Sequence, residues 1–263
     1  MRPGTARLLS HLGLSVEPPA LAFLDRLIQA HQTRVPFETL TKLADYVPGL
    51  SRGDFLPPLD LYVDRMITRG AGGLCWTLAR GFHALLTDLG FDAALMHMDP
   101  GHLCVRVELP EGPYYADVGY AAPIFRAYPL FESFTLTTHR ENFTYEVSPE
   151  GILVTRNPGP TKRLDPTPRA LADFAERIRG ANDPAVPTSF LRRLTYSRFV
   201  DGVWTSLRDG ALHRFHPEGL SKSEVAAEDA PSVLADVFGA DPELWREAEQ
   251  QLEQLPPIPA ADS

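Results

Sequence analysis

The chain has 263 residues, of which 44% are hydrophobic and 22% charged, with a net charge of −9. This is an ordinary soluble globular composition, long enough for one large domain or two to three smaller parts. The acidic balance, with no basic cluster, excludes a nucleic-acid groove as the main function, and no apolar run approaches the roughly 18 residues of a membrane span.

Residues 1–70 read as helices and loops. Pro18-Pro19 precedes a helical stripe, Leu21, Phe23, Leu24, Leu27 and Ile28, that runs to about Ala30. In Val35-Pro36-Phe37-Glu38-Thr39-Leu40, Pro36 holds Val35 extended and the bend aims the Phe37 ring. A short helix over 59–68 leads into Arg69-Gly70-Ala71-Gly72-Gly73, which lacks the Lys-Ser/Thr ending of a phosphate loop. Leu74, Leu78, Phe82, Leu85, Leu86 and Leu89 then predict a buried helix that stops at Gly90. Cys75 falls in its first turn. There the backbone N–H groups lack internal partners and the helix dipole is positive, so a thiolate is favoured. The alternative for such a Cys is an inert buried thiol.

Beyond Gly90 the period changes to two. A strand over 91–98 and the turn Asp99-Pro100-Gly101 lead to an alternating strand over 102–109. His102, Cys104, Arg106 and Glu108 share one face of it. The turn Pro110-Glu111-Gly112-Pro113 returns the chain along a strand over 114–118. With a loop near 109–112, Asp117 lies on the His102 face, opposite Cys104 or one step either side, within reach of His102. A thiol at a helix start, a His on a strand and an Asp on its partner strand have the makings of a Cys-His-Asp triad for acyl transfer. His83 lies on the Cys75 helix, but about 12 Å further along its axis, too far to be the base.

The remaining elements are a crossing stretch over 123–134, a hairpin of 143–147 with 152–155, and a helix over 170–179 introduced by Pro166 and Pro168. A linker over 182–187 follows. Strands flank Asp201-Gly202 and Asp209-Gly210, a helix over 232–238 is capped by Gly239, and residues 256–263 form an exposed end. Two cysteines imply no disulfide framework and a reducing compartment, the cytoplasm. Without matching His spacing they make no zinc site. Met1-Arg2-Pro3-Gly4 lacks a signal-peptide core.

As an ordered set, these pieces resemble the arylamine N-acetyltransferases. The matching segments are Val35-Pro36-Phe37-Glu38-Thr39-Leu40, Gly72-Gly73-Leu74-Cys75, His102 and Tyr115-Ala116-Asp117-Val118-Gly119-Tyr120. Weaker similarity continues through Ser189-Phe190, 199–212 and Val237-Phe238-Gly239. The resemblance implies an α+β fold around a cysteine-protease-like Cys-His-Asp core. Its parts would be an N-terminal helical bundle (1–90) carrying the nucleophile, a middle antiparallel β-barrel (91–182) carrying His and Asp, and a C-terminal α/β lid (183–263). It implies catalytic Cys75, His102 and Asp117, a substrate slot near Phe37 and Tyr120, and no metal. It also implies acetyl-CoA as acyl donor and an aromatic amine or hydrazine as acceptor, in ping-pong order through a Cys75 thioester. With no phosphate-binding motif in the chain, the CoA phosphates are expected on scattered arginines and backbone N–H groups, in a cleft between barrel and C-terminal part. Three residues depart from the family's usual pattern: Ala71 stands for an Arg, Thr77 for a Glu or Gln, and Gly101 for a Thr. The same triad would also serve an amide synthase or a thiol hydrolase, and a non-catalytic binding module is the reading from a different class.

Overall fold

The computed structural model describes residues 1–120, 124–138, 140–185 and 190–257. The calls on Pro123, on the far end of the 182–187 linker, on Ser189 and on the tail beyond 257 fall outside the described residues. The first third is helical: α1 (Pro3–His11), α2 (Leu21–Arg34), α3 (Leu40–Ala44), α4 (Tyr46–Arg52), α5 (Leu59–Arg69) and α6 (Cys75–Asp88), interrupted by a short strand β1 (Phe37–Glu38). Helix α2 runs four residues past the expected end, because His31 and Gln32 continue its buried stripe behind Leu27 and Ile28. Helix α6 buries Trp76, Leu78, Phe82, Leu85 and Leu86 in the largest apolar core. That core is shared with α1, α2 and the outer face of the first barrel strands, through Leu8, Phe23, Leu27, Leu103 and Val105.

Eight strands form the middle sheet: β2 (Asp92–Asp99), β3 (His102–Leu109), β4 (Gly112–Ala116), β5 (Tyr128–Pro129), β6 (Phe134–Thr137), β7 (Asn142–Ser148), β8 (Gly151–Asn157) and β9 (Thr161–Arg169). Their order is β5-β4-β3-β2-β9-β8-β7-β6 and every pair is antiparallel. The sheet curls into a half-barrel rather than a hydrogen-bonded closed one. Its two edges meet through side chains, the Tyr128 and Phe134 rings stacking at 3.8 Å between centroids. Met96, Met98, Cys104, Tyr115, Phe143, Tyr145 and Leu164 fill the interior.

Strand β9 is absent from the sequence reading, which takes Pro166 and Pro168 as the start of a helix. Proline cannot donate to a sheet ladder and so argues against an inner strand. Here Leu95 pairs Arg169 while His97 pairs Asp165, so residues 166–168 bulge opposite Met96 and both prolines sit in the bulge. The expected helix over 170–179 is a 3-10 turn, Leu171–Phe174, followed by α7 (Ala175–Gly180).

The C-terminal part holds β10 (Thr195–Val200), β11 (Val203–Arg208), β12 (Ala211–His216) and β13 (Gly219–Glu224), then α8 (Ala230–Phe238) and α9 (Glu243–Gln254). Asp201 and Asp209 take φ of 50° and 52°, as the two-residue Asp-Gly hairpin turns require. Strand β1 joins this sheet at the edge, pairing Phe37 with Ser197 and Glu38 with Tyr196. An N-terminal segment thus completes a C-terminal sheet. Among the described residues no helix is long and apolar enough to cross a membrane.

Candidate active site

Cys75 is the first residue of α6, after Leu74 in extended conformation, with no side chain capping the helix start. The loop before it is fixed from the other side by β1. Phe37 bridges Gly73, and the Glu38 N–H donates to the Gly73 carbonyl at 3.1 Å. The buried Glu38 carboxylate accepts from the Gly72 N–H at 3.1 Å, the Thr41 N–H at 2.9 Å and the Thr41 hydroxyl at 2.6 Å. Residue 72 must be glycine: a Cβ there would stand 1.9 Å from the Pro36 carbonyl oxygen.

The β3–β4 hairpin sets the second half of the site. Its register pairs Glu108 with Pro113 and Val105 with Ala116, so Asp117, the next residue, falls opposite Cys104 and diagonal to His102. His102 Nε2–H donates to Asp117 Oδ2 at 2.7 Å. The same oxygen accepts from the Tyr115 hydroxyl at 2.5 Å, and Oδ1 accepts from the Gly119 N–H at 2.8 Å. Gln32 on α2 donates to the Asp117 backbone carbonyl at 3.0 Å. Asp117 is wholly buried and His102 nearly so, so a charge here depends on these donors. With Nε2 committed to Asp117, Nδ1 is the remaining ring nitrogen, and Cys75 and His102 are close enough for each to shift the other's pKa. Cys75 Sγ also lies 3.7 Å from the Gly101 carbonyl. Gly119 is a contact point: a Cβ there would come within 2.8 Å of Cys75 Cα and Cβ, and 3.2 Å of His102 Cε1.

The electrostatics follow from this packing. Burial alone would raise the Cys75 thiol. The neighbouring His102 and Lys162 and the Leu103 N–H outweigh it and hold the thiol below its ordinary value. Burial alone would lower His102, but the charge and hydrogen bond of Asp117, with Cys75 behind them, raise it. The two opposite shifts favour passing the Cys75 proton to His102. Cys104 has no such support, and burial pushes its thiol well up.

Tyr120 stacks on His102, ring centroids 3.9 Å apart and planes 21° from parallel. It opens onto a cavity of about 340 Å³ between the half-barrel and the C-terminal sheet, also lined by Phe37, Phe190, Trp204 and Phe215. Four arginines line it, Arg140, Arg156, Arg193 and Arg208, against one carboxylate, Glu141. Glu141 pairs with Arg140 at 2.5 Å and Arg156 at 2.6 Å. Arg208 Nε is buried without a hydrogen-bond partner among the described residues. Phe37 and Tyr120 both line this cavity.

A sequence profile of the family described as N-acetyltransferase matches residues 20–243. The chain belongs to this family, that of the arylamine N-acetyltransferases. A curated relative, proansamycin X synthase from Amycolatopsis mediterranei (strain S699), is 31% identical over 117 residues. That match covers 40% of this chain and 43% of the relative. The arylamine N-acetyltransferase of Mycobacterium marinum superposes with a TM-score of 0.77 at 17% identity, covering 95% of this chain and 99% of that one. The same enzyme solved in complex with CoA gives 0.75 at 18% identity, covering 95% and 99%.

Within this acyltransferase family the three departures have distinct settings. Ala71 is buried and its N–H donates to the Arg65 carbonyl at 3.2 Å. The nearby Arg69 turns away, bonding Asp241 and Glu247 of the C-terminal part. Thr77 fills the space beside Gly73. Gly101 offers its carbonyl to the Cys75 sulfur, and a Cβ there would meet nothing within 4 Å, so the family's usual Thr would fit. Residues that sequence reasoning left without a role are Glu38, Gln32 and Tyr115. Tyr115 stands two positions before Asp117 on the same strand face, a signal that period-two reading can find. Gln32 reaches the site only through the packing of α2.

Proposed function

We propose that this chain is an acetyl-CoA-dependent N-acetyltransferase that moves an acetyl group, through a thioester on Cys75, to an arylamine or arylhydrazine. The observation that carries the reading is the buried His102–Asp117 hydrogen bond, with Cys75 at the start of α6 packed against the same turn through Gly119, beside an aromatic, arginine-lined cavity. The Cys75 thiolate attacks the acetyl carbon of the donor, and the tetrahedral adduct expels CoA, which takes the His102 proton. The amine then attacks the acetyl-Cys75 carbonyl. His102 takes the amine proton, the C–S bond breaks, and the amide leaves with the thiolate restored. Asp117 holds the His102 tautomer and offsets its charge in each half-reaction.

CoA binding in the cavity is supported by its four arginines, one with an orphaned buried donor, within a chain of net charge −9. The M. marinum relative that holds CoA has the same fold. The acceptor would enter the slot walled by Phe37 and Tyr120 after CoA leaves, and flat aromatic rings suit that wall. We read residues 1–90, 91–182 and 183–263 as the three working parts, and two free thiols suit a reducing cytoplasm. A second reading, an amide synthase on the same triad, draws on the relative named proansamycin X synthase.

The test is the intact mass of the protein mixed with acetyl-CoA and no acceptor. The expected result is one acetyl group, mapped to Cys75 and absent from Cys75→Ala, while Cys104→Ala still takes it up. Initial rates over a grid of acetyl-CoA and arylhydrazine should then give parallel double-reciprocal lines. Acetyl on Cys75 that no aromatic amine or hydrazine removes would bring the synthase reading forward. No adduct with steady CoA release would mean hydrolysis.

A further inference from the structure

Lys162 is a cation on the inner face of a barrel strand. It stands two residues before the buried Leu164 on β9, while its neighbours Thr161 and Arg163 are exposed, so its side chain shares the interior face. The pattern of the strand calls for an apolar residue there. The chain's other two lysines are engaged, Lys42 with the Ala181 carbonyl at 2.7 Å and Lys222 with Glu224 at 2.7 Å. Lys162 is half-buried, and among the described residues its ammonium has no ion-pair or hydrogen-bond partner. It lies instead over the Tyr120 ring, 5.3 Å from the centroid, and that ring stacks on His102. Arg156 stands over the same ring at 4.9 Å, but its guanidinium is held by Glu141.

We propose that Lys162 is a positioning residue that acts on the triad through its charge: held at the mouth of the half-barrel over Tyr120, it supports the Cys75 thiolate and offsets the buried carboxylate of Asp117. The proposal rests on reading Cys75 as the nucleophile. Thiolate, imidazolium and carboxylate together leave one net negative charge in a buried site, and an oxyanion in place of the thiolate leaves the same. A fixed ammonium nearby brings the sum to zero in both states, where an apolar residue would leave it uncompensated. The Tyr120 ring lies under the Lys162 ammonium; the charged or titratable groups near enough to act on it electrostatically are Cys75 from α6, Cys104 from β3, Arg156 from β8 and Asp117 after β4, with His97 on the opposite face of β2. Burial lowers the Lys162 ammonium, and the Cys75 and Asp117 charges pull it back up. Arg156 works against it, and the net displacement is downward, so the two anions offset only part of what burial costs the cation.

The test is the rate of iodoacetamide alkylation, mapped to Cys75 by peptide mass, followed across pH in the whole protein. Wild type, Lys162→Met and Lys162→Arg are compared, with folding checked by near-ultraviolet circular dichroism; Lys162→Gln takes the place of the Met variant if that one does not fold. The expected result is a midpoint displaced upward by about one pH unit in Lys162→Met, roughly a tenfold loss of thiolate at pH values below both midpoints, and a return toward wild type in Lys162→Arg. A packing role alone would leave the midpoint in place. A wild-type midpoint well below that of a free thiol, unmoved in the folded Met or Gln variant, overturns the role of Lys162 and leaves the reading of Cys75 standing. A wild-type profile like that of a free thiol overturns both.

Discussion

Gly119 carries a geometric burden that its place after the Asp117 turn does not announce. Its Cα packs so close to Cys75 that an added methyl group would sit 2.8 Å from two atoms of that residue, one of them backbone. The methyl cannot be accommodated by a rotamer change, so the start of α6 and the hairpin end must move apart. Gly119→Ala should therefore stretch the Cys75–His102 contact while the two cores remain formed. The expected outcome is a fall in single-turnover acylation by about a hundredfold or more, the scale of a misplacement near 1 Å, with the melting temperature lowered only modestly. Near-normal acylation in a folded Gly119→Ala protein would mean that the site tolerates the shift. At this scale the placing of Cys75, His102 and Asp117 was legible because each sits at a structural landmark: a helix start, a strand start after a turn, and the residue just past the return strand. Lys162 was not, since a lone lysine between Thr161 and Arg163 looks like part of a polar edge until the strand's inner face is known.

Among the elements, α2 shows what a continuous apolar stripe hides. His31 continues the buried face of that helix, its ring edge-on to Phe82 at 5.5 Å, and neither ring nitrogen has a hydrogen-bond partner among the described residues. Burial, with a smaller push from His11, lowers its pKa from 6.5 to about 3. The native state therefore stays neutral at His31 where the unfolded chain takes a proton. Stability is complete above the unfolded pKa of 6.5 and is lost as pH falls from there toward about 3. The slope from this one group approaches about 1.4 kcal/mol per pH unit. His31→Leu removes the titration and both orphaned nitrogens. Urea unfolding at a series of pH values should show a flatter acid limb for the variant, with stability near neutral pH equal or higher. An identical acid limb would refute the assignment. Elements were readable where period or turn chemistry was strong, as for α6, β3 and the two Asp-Gly hairpins. Strand β9 was hidden because its prolines lie in a bulge that only the pairing with β2 reveals. Helices α1 and α9 carry usable stripes, with Leu8 and Leu9 buried in one and Leu244, Trp245 and Ala248 in the other, but each lies close to an end of the chain, where the reading assigned no element.

For the molecule as a whole, contacts distant in sequence hold the site together. Arg69, at the end of α5, reaches Asp241 at 2.6 Å and Glu247 at 3.0 Å twice, joining the nucleophile's approach to α9. The cavity has one wall from the half-barrel and the other from β10, β11 and β12. Strand β1 is the tightest of these ties. One side of its two residues bonds the loop before Cys75, and the other completes the sheet that begins at Thr195, with the Thr39 hydroxyl donating to the Arg193 carbonyl at 2.6 Å. The consequence is one of timing. As the chain leaves the ribosome, Cys75 and Glu38 emerge long before the strand that braces them, so the thiol is made well ahead of its final frame. A chain ending before Thr195 should carry a Cys75 that alkylates with the pH dependence of an ordinary thiol, even with His102 and Asp117 present. The full-length protein should react at lower pH. Equal profiles for the two chains would mean that the helical and barrel parts build the nucleophile unaided. If they differ, the sheet that β1 joins acts as a safety catch on the Cys75 thiol, released only once β10 and its neighbours are in place.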